Sequence, residues 1–180
     1  TMRAALDAGA SIINDISALE YDSESIFLAV GRQVPVILMH MQGSPDTMQE
    51  NPSYNNVIED IYVYLQKRIR ACETAGIERK NVIIDPGIGF GKTLEHNLLI
   101  HRNISKFFDL GCNILFGSSR KRFIADLSKG ESANERLAGS LSSVIWARSQ
   151  GVNMFRVHDV KETVQALKVY DSISAVSALR

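Results

Sequence analysis

The sequence predicts an α/β protein in which a parallel sheet is covered by helices, and three observations carry the prediction. Short apolar runs alternate with longer amphipathic stretches five times over. The runs are rich in β-branched residues and apolar on both faces, as strands buried on two sides must be. Polar residues gather at the C-terminal ends of those runs: Asn14-Asp15, His40, Asp85, Ser118-Ser119 and Arg156, His158 and Asp159. That end of a parallel sheet is where such folds keep their chemistry.

The strands are expected at residues 11–16, 34–40, 81–85, 113–117 and 153–158, and the helices at 23–31, 55–75, 94–110, 133–150 and 160–178. Periodicity alone leaves a doubly wound sheet and a barrel both open. Each unit takes roughly 30–40 residues, so eight would reach the ~250 residues of a (β/α)8 barrel. The expectation is therefore an incomplete TIM barrel, five of eight βα units, forming a single domain over residues 1–180. The opening Thr-Met-Arg-Ala-Ala-Leu-Asp-Ala-Gly reads as the end of a helix stopped by Gly9, which suggests that earlier units are missing.

Composition narrows the function classes. With 45% hydrophobic and 22% charged residues the chain has material for one sizeable core, and its formal net charge of zero provides no global field for nucleic acid or anionic lipid. The apolar run from 34 to 39 is far too short to span a bilayer. A cytoplasmic protein with neither nucleic-acid nor membrane partners is expected. Cys72 and Cys112 have no nearby Cys or His partner, so they read as buried free thiols rather than a metal or redox pair.

The loop Asp85-Pro-Gly-Ile-Gly-Phe-Gly-Lys-Thr93 misses two phosphate-loop patterns by one position each. Pro86 stands where a Walker A loop needs glycine, and Lys92 where a dinucleotide fingerprint needs one. What remains is a strand-end carboxylate and three alternate glycines that let backbone approach a ligand. The structural alternative is a tight turn capped by Asp85. In Phe116-Gly-Ser-Ser-Arg-Lys-Arg-Phe123 a strand ends and a helix begins at a basic triplet; taken alone the triplet reads as a solvated basic face, but its place at a strand end favours an anion site. Arg156 and His158 alternate along the last strand and so share a face; a guanidinium beside an imidazole suits a phosphate or pyrophosphate, while an Arg156–Asp159 pair is the structural rival. Asn14 can both donate and accept, which suits a heterocycle edge, against an Asx turn. A carboxylate at 85 can take two parallel N–H bonds from an aminopyrimidinone. Met39 is suited to pack on a flat ring.

Taken together, residues 9–19, 39–48, 85–93 and 117–123, followed by Arg156-Val-His-Asp159, resemble the dihydropteroate synthases in content, order and separation along the whole chain. The resemblance implies a (β/α)8 barrel of which this sequence supplies strands four to eight. It also implies condensation of 6-hydroxymethyl-7,8-dihydropterin diphosphate with p-aminobenzoate, giving 7,8-dihydropteroate and pyrophosphate. On its pattern Asn14, Asp85 and Lys121 hold the pterin ring, Arg156 and His158 the diphosphate, and Met39 and Gly117 line the pterin pocket. Lys121, Arg156, His158 and Asp85 are the catalytic set. Ser119, Phe90 and Lys121 serve p-aminobenzoate, with Ser119 and the following helix start receiving its carboxylate. Arg122 stands where the family often has a small residue. The resemblance further implies a homodimer, sulfonamides as inhibitors, and Mg²⁺ bound by residues preceding this chain, with no metal ligand within it. A 180-residue piece left with open parallel edges is expected to be inactive alone. The alternatives are a pterin-binding methyltransferase, which needs no anion pocket at 119–121, and a non-catalytic pterin-binding paralogue.

Overall fold

A computed structural model describes residues 1–176. Its elements are α1 (Met2–Asp7), β1 (Ile13–Asp15), α2 (Glu24–Arg32), β2 (Val36–Met39), α3 (Val57–Ala75), β3 (Val82–Asp85), α4 (Leu94–Arg102), β4 (Asn113–Phe116), α5 (Arg122–Leu127), α6 (Leu137–Ser149), β5 (Met154–Phe155) and α7 (Val160–Ala175). All five strands are parallel and lie side by side in chain order, β1-β2-β3-β4-β5. A doubly wound sheet reverses its strand order at a switch point, whereas the wall of a barrel does not. The order thus settles what periodicity left open.

The two faces of the sheet differ in the same sense. Ile13, Val36, Leu38, Val82, Ile84, Ile114 and Phe116 point into the main core, where they meet Ala29, Ile61, Leu65, Ile69, Ile100, Phe107 and Ala147 from the helical layer. On the other face Ile37, Ile83 and Leu115, with Met154 against them, form a small cluster of strand residues only, as the interior of a barrel would. Strand residues alternate between faces. Asn14, Met39, Asp85, Gly117 and Arg156 therefore fall on the inner side, in register with or one step above that cluster.

Local chemistry sets the element ends. Asn56 caps α3 by accepting from the Ile58 and Glu59 amides, and Gly76 ends it in a left-handed conformation. Thr93 opens α4 through a capping box with His96. Three expectations are corrected. The helix expected over 94–110 stops at Arg102, where the Asn103 amide group donates to the Leu99 carbonyl, and continues as a 3-10 stretch Ile104–Leu110. The helix expected over 133–150 is interrupted at Arg136, whose guanidinium donates to the carbonyls of Glu131 and Arg120. The last strand ends at Phe155 rather than 158, although the Arg156 amide still donates to the Phe116 carbonyl. The last helix ends at Ala175; residues 177 and 178 of its expected range lie outside the described residues.

Candidate active site

Asp85, the last residue of β3, is 4% exposed and accepts from the Gly87 amide at 2.7 Å. Burial pushes its carboxyl above the ordinary range, while Lys121, the Gly87 amide, Arg156 and Lys92 pull it back. Three cations from three segments therefore act on one carboxylate. Gly117, at the exit of β4, lies between two of these groups: a β-carbon there would stand 3.9 Å from Asp85 Oδ2 and 3.7 Å from Arg156 Nε.

Lys121 precedes α5 and reaches back over the 85–93 loop. Its Nζ donates to the Ile88 carbonyl and lies 4.5 Å from the centroid of the Phe90 ring. Burial lowers this amine to about 8, with Asp85 raising it and Arg156 lowering it further. Lys121 also lines two cavities. One, of about 200 Å³, is bounded by Gly117, Ser119, Arg156 and His158; the other, of about 460 Å³, by Gly89, Phe90, Lys92 and Arg122. In the first, Ser119 Oγ lies 3.0 Å from His158 Nδ1 and accepts from the His158 amide at 3.2 Å. Ser119 thus sits with the Arg156–His158 group, and Phe90 with the other cavity.

The basic triplet divides by function. Arg120 adopts a left-handed conformation (φ 57°) and holds both oxygens of Asp159 at 3.0 and 2.5 Å, plus Asn134 Oδ1 at 2.8 Å. It is a brace between loops. Asp159 is therefore the partner of Arg120, not of Arg156, which removes the structural rival weighed for Arg156. Arg122, at the rim of the larger cavity, is 88% exposed along its side chain and pairs with Asp126 at 3.4 Å. At the first strand the capping turn belongs to Asp15, which accepts from the Ser17 amide and hydroxyl and the Leu19 amide; the exposed Asn14 stays on the inner face. Met39 is 2% exposed and pairs in register with Asp85.

Sequence reasoning passed over Lys92, which is only 4% exposed. Its Nζ lies 3.1 Å from His40 Nδ1 and donates to the Phe90 carbonyl at 2.9 Å. Burial brings Lys92 down to about 7 and His40 to about 3, the latter aided by the Lys92 charge. The one available signal was a lysine at the close of a glycine-rich loop that nucleotide patterns do not explain.

This arrangement supplies a buried carboxylate for adjacent N–H donors, flanked by cations and by a guanidinium–imidazole pair for an anion. A family model described as pterin binding enzyme matches residues 1–158. The chain belongs to the pterin binding enzyme family. Among pterin-binding relatives it is 42% identical over 172 residues to the dihydropteroate synthase of Haemophilus influenzae, covering 95% of this chain and 62% of that protein. It is 42% identical over 171 residues to the Escherichia coli K12 enzyme of the same name, covering 95% and 60%. The chain thus spans about three fifths of the curated relatives it matches. The crystal structure of dihydropteroate synthase from Stenotrophomonas maltophilia superimposes with a TM-score of 0.94 at 42% identity, covering 98% of this chain and 66% of that one. The Xanthomonas albilineans enzyme in complex with 7,8-dihydropteroate gives 0.90 at 39%, covering 98% and 62%. The pterin-binding fold here is an incomplete TIM barrel of five βα units.

Proposed function

We propose that the protein carrying this chain is a dihydropteroate synthase that joins 6-hydroxymethyl-7,8-dihydropterin diphosphate to p-aminobenzoate. The observation that carries this reading is the buried Asp85 carboxylate acted on by Lys121, Arg156 and Lys92, cations that line the two cavities and of which Lys121 borders both. Asp85 takes the exocyclic amine and adjacent ring N–H of the pterin, and Asn14 and Met39 hold the ring from the neighbouring strands. Arg156 and His158, with Ser119 beside them, take the diphosphate. The aminobenzoate ring lies against Phe90 in the larger cavity, with Lys121 in contact with both substrates.

In the reaction the carbon–oxygen bond to diphosphate breaks, a carbon–nitrogen bond to the aryl amine forms, and the amine releases a proton. The dihydropterin ring spreads the positive charge that develops on its methylene carbon. Stabilising the departing anion is then the protein's main contribution, made by Arg156 and His158. The uncharged amine needs no strong base. Mg²⁺ would further neutralise a diphosphate when bound. Among the described residues no three His, Cys, Asp or Glu side chains converge as a metal cradle, so these residues do not fit as its complete site.

The test is formation of 7,8-dihydropteroate and pyrophosphate by the complete gene product that carries this chain. Lys121→Ala should raise KM for both substrates and Arg156→Ala should chiefly lower kcat, each by about tenfold or more for a lost charge-assisted bond. Unchanged turnover in both variants would remove the assignment. The 180-residue chain by itself is expected to form no product.

We place a second copy of the chain on the groove between α4, α5 and α6, about 820 Å³, where Leu98, Leu127 and Trp146 are 40, 55 and 49% exposed. Glu131, Glu135, Arg102 and Arg136 line the same groove, so two-fold pairing can match acid with base. Sedimentation should show a dimer that Trp146→Glu converts to monomer; a wild-type monomer at micromolar concentration would reject it. None of the described helices is long and apolar enough to cross a membrane, and both cysteines are free and buried, which fits the cytoplasm.

A further inference from the structure

Buried lysines ordinarily have a carboxylate in contact, because an uncompensated charge in the interior is costly. Lys92 departs from this: its hydrogen-bond partners are a carbonyl and an imidazole nitrogen, with a second carbonyl, that of His40, at 3.5 Å. An ammonium only donates, so Nδ1 of the neutral His40 ring accepts and its proton sits on Nε2. His40 is itself held edge-on against Tyr64 and tilted against Tyr54, whose hydroxyl donates to the Gly91 carbonyl. Lys92 thereby ties the tip of the 85–93 loop to the end of β2. From the opposite side Lys121 grips the same loop at Ile88 and covers the Phe90 ring. Phe90, which walls the larger cavity, is thus held at its carbonyl by Lys92 and covered at its ring by Lys121, the residue that borders both cavities.

We propose that Lys92 is a positioning residue for the aryl-amine subsite, its ammonium fixing the Phe90 backbone so that the ring stands ready for the amine substrate. The inference rests on the reading of that cavity as the aryl-amine subsite. Asp85 from β3, Lys121 from the start of α5, His40 from β2 and His96 from α4 are the charged and titratable groups that act on Lys92 or feel its charge. Above a pH of about 7 Lys92 loses its proton, and the tether loses its charge. Aryl-amine binding should weaken there, beyond the change that Lys121 produces near 8.

Steady-state kinetics on the complete gene product test this with Lys92→Met and Lys92→Gln. At pH 6.5 Lys92→Met should raise KM for p-aminobenzoate about tenfold, one charge-assisted hydrogen bond's worth, with kcat within about threefold. The pH dependence around 7 should vanish from its profile. Lys92→Gln, which keeps an N–H donor without the charge, should recover most of the KM and none of the pH dependence. A soluble variant with wild-type KM and pH profile would overturn the proposal. Loss of aryl-amine use by the wild type itself would instead overturn the parent reading. Should both variants fail to fold, lysine ¹³Cε NMR of the unchanged protein decides: the assigned Lys92 resonance must shift when p-aminobenzoate is added, and a resonance unmoved by it would overturn the inference.

Discussion

Replacing Asp85 by Ala is expected to abolish measurable pterin binding and to destabilise the loop around it. Two parallel bonds from ligand N–H groups to a desolvated carboxylate are lost, and truncating one partner of such a pair costs about 2–5 kcal/mol, roughly a factor of 30 to several thousand in affinity. The carboxylate is also the one group that raises both Lys92 and Lys121 among their interacting charges, so its removal leaves the buried Lys92 and the half-buried Lys121 with uncompensated repulsion. Asp85→Asn separates the two effects. An amide oxygen can still accept from the Gly87 amide, which keeps the turn, but it accepts the two ligand donors poorly. Calorimetry with a pterin ligand should therefore show loss of affinity in both variants, and urea unfolding a lower midpoint chiefly in the alanine variant. Pterin affinity within about threefold of wild type in Asp85→Ala would reject the role assigned to this carboxylate.

Gly87→Ala should be the most damaging single methyl group that can be added to the site. The backbone there has φ 71°, and the new β-carbon would stand 1.9 Å from the His40 carbonyl oxygen. Left-handed backbone costs an alanine about 1–2 kcal/mol by itself. The overlap adds to this, because it is with main chain and no side-chain rotation relieves it. The His40 amide also donates to the Asp85 carbonyl at 2.9 Å, so the two segments cannot separate without breaking the β2–β3 ladder. Total loss of about 4 kcal/mol or more is expected, the range reserved for severe substitutions. Gly130→Ala is the control: its φ is 77° and nothing lies within 4 Å of the added carbon, so only the conformational cost applies. Equal urea midpoints for the two variants would show that the close approach at Gly87 contributes nothing.

Much of the architecture could be read from the residues, for reasons that are local. Strand runs such as 34–40 and 113–117 announce themselves by being apolar on both faces, and a strand's polar last residue marks the open end of the sheet. What escaped depends on contacts between distant segments. Nothing near position 103 distinguishes a continued helix from the 3-10 stretch that follows, because the apolar spacing runs on through Phe107 and Leu110. The triplet at 120–122 reads as three equivalent cations, and only the fold shows that the first is bound to Asp159, the second is half-buried over the Phe90 ring and the third faces solvent. The Lys92–His40 contact joins residues 52 positions apart and has no pattern of its own. Likewise, pairing Ser119 with His158 rather than with Phe90 depends on which side of Lys121 each one falls.

If the two cavities hold the substrates as proposed, the wall that Lys121 shares between them would limit how such a protein can evade a toxic mimic of the amine. A mutation there that spoils the mimic's fit also disturbs the neighbouring compartment, so tolerance gained against the one is repaid in lost turnover of the other. On that assignment adaptive change would be channelled to positions that border a single compartment, Phe90 and Arg122 among them.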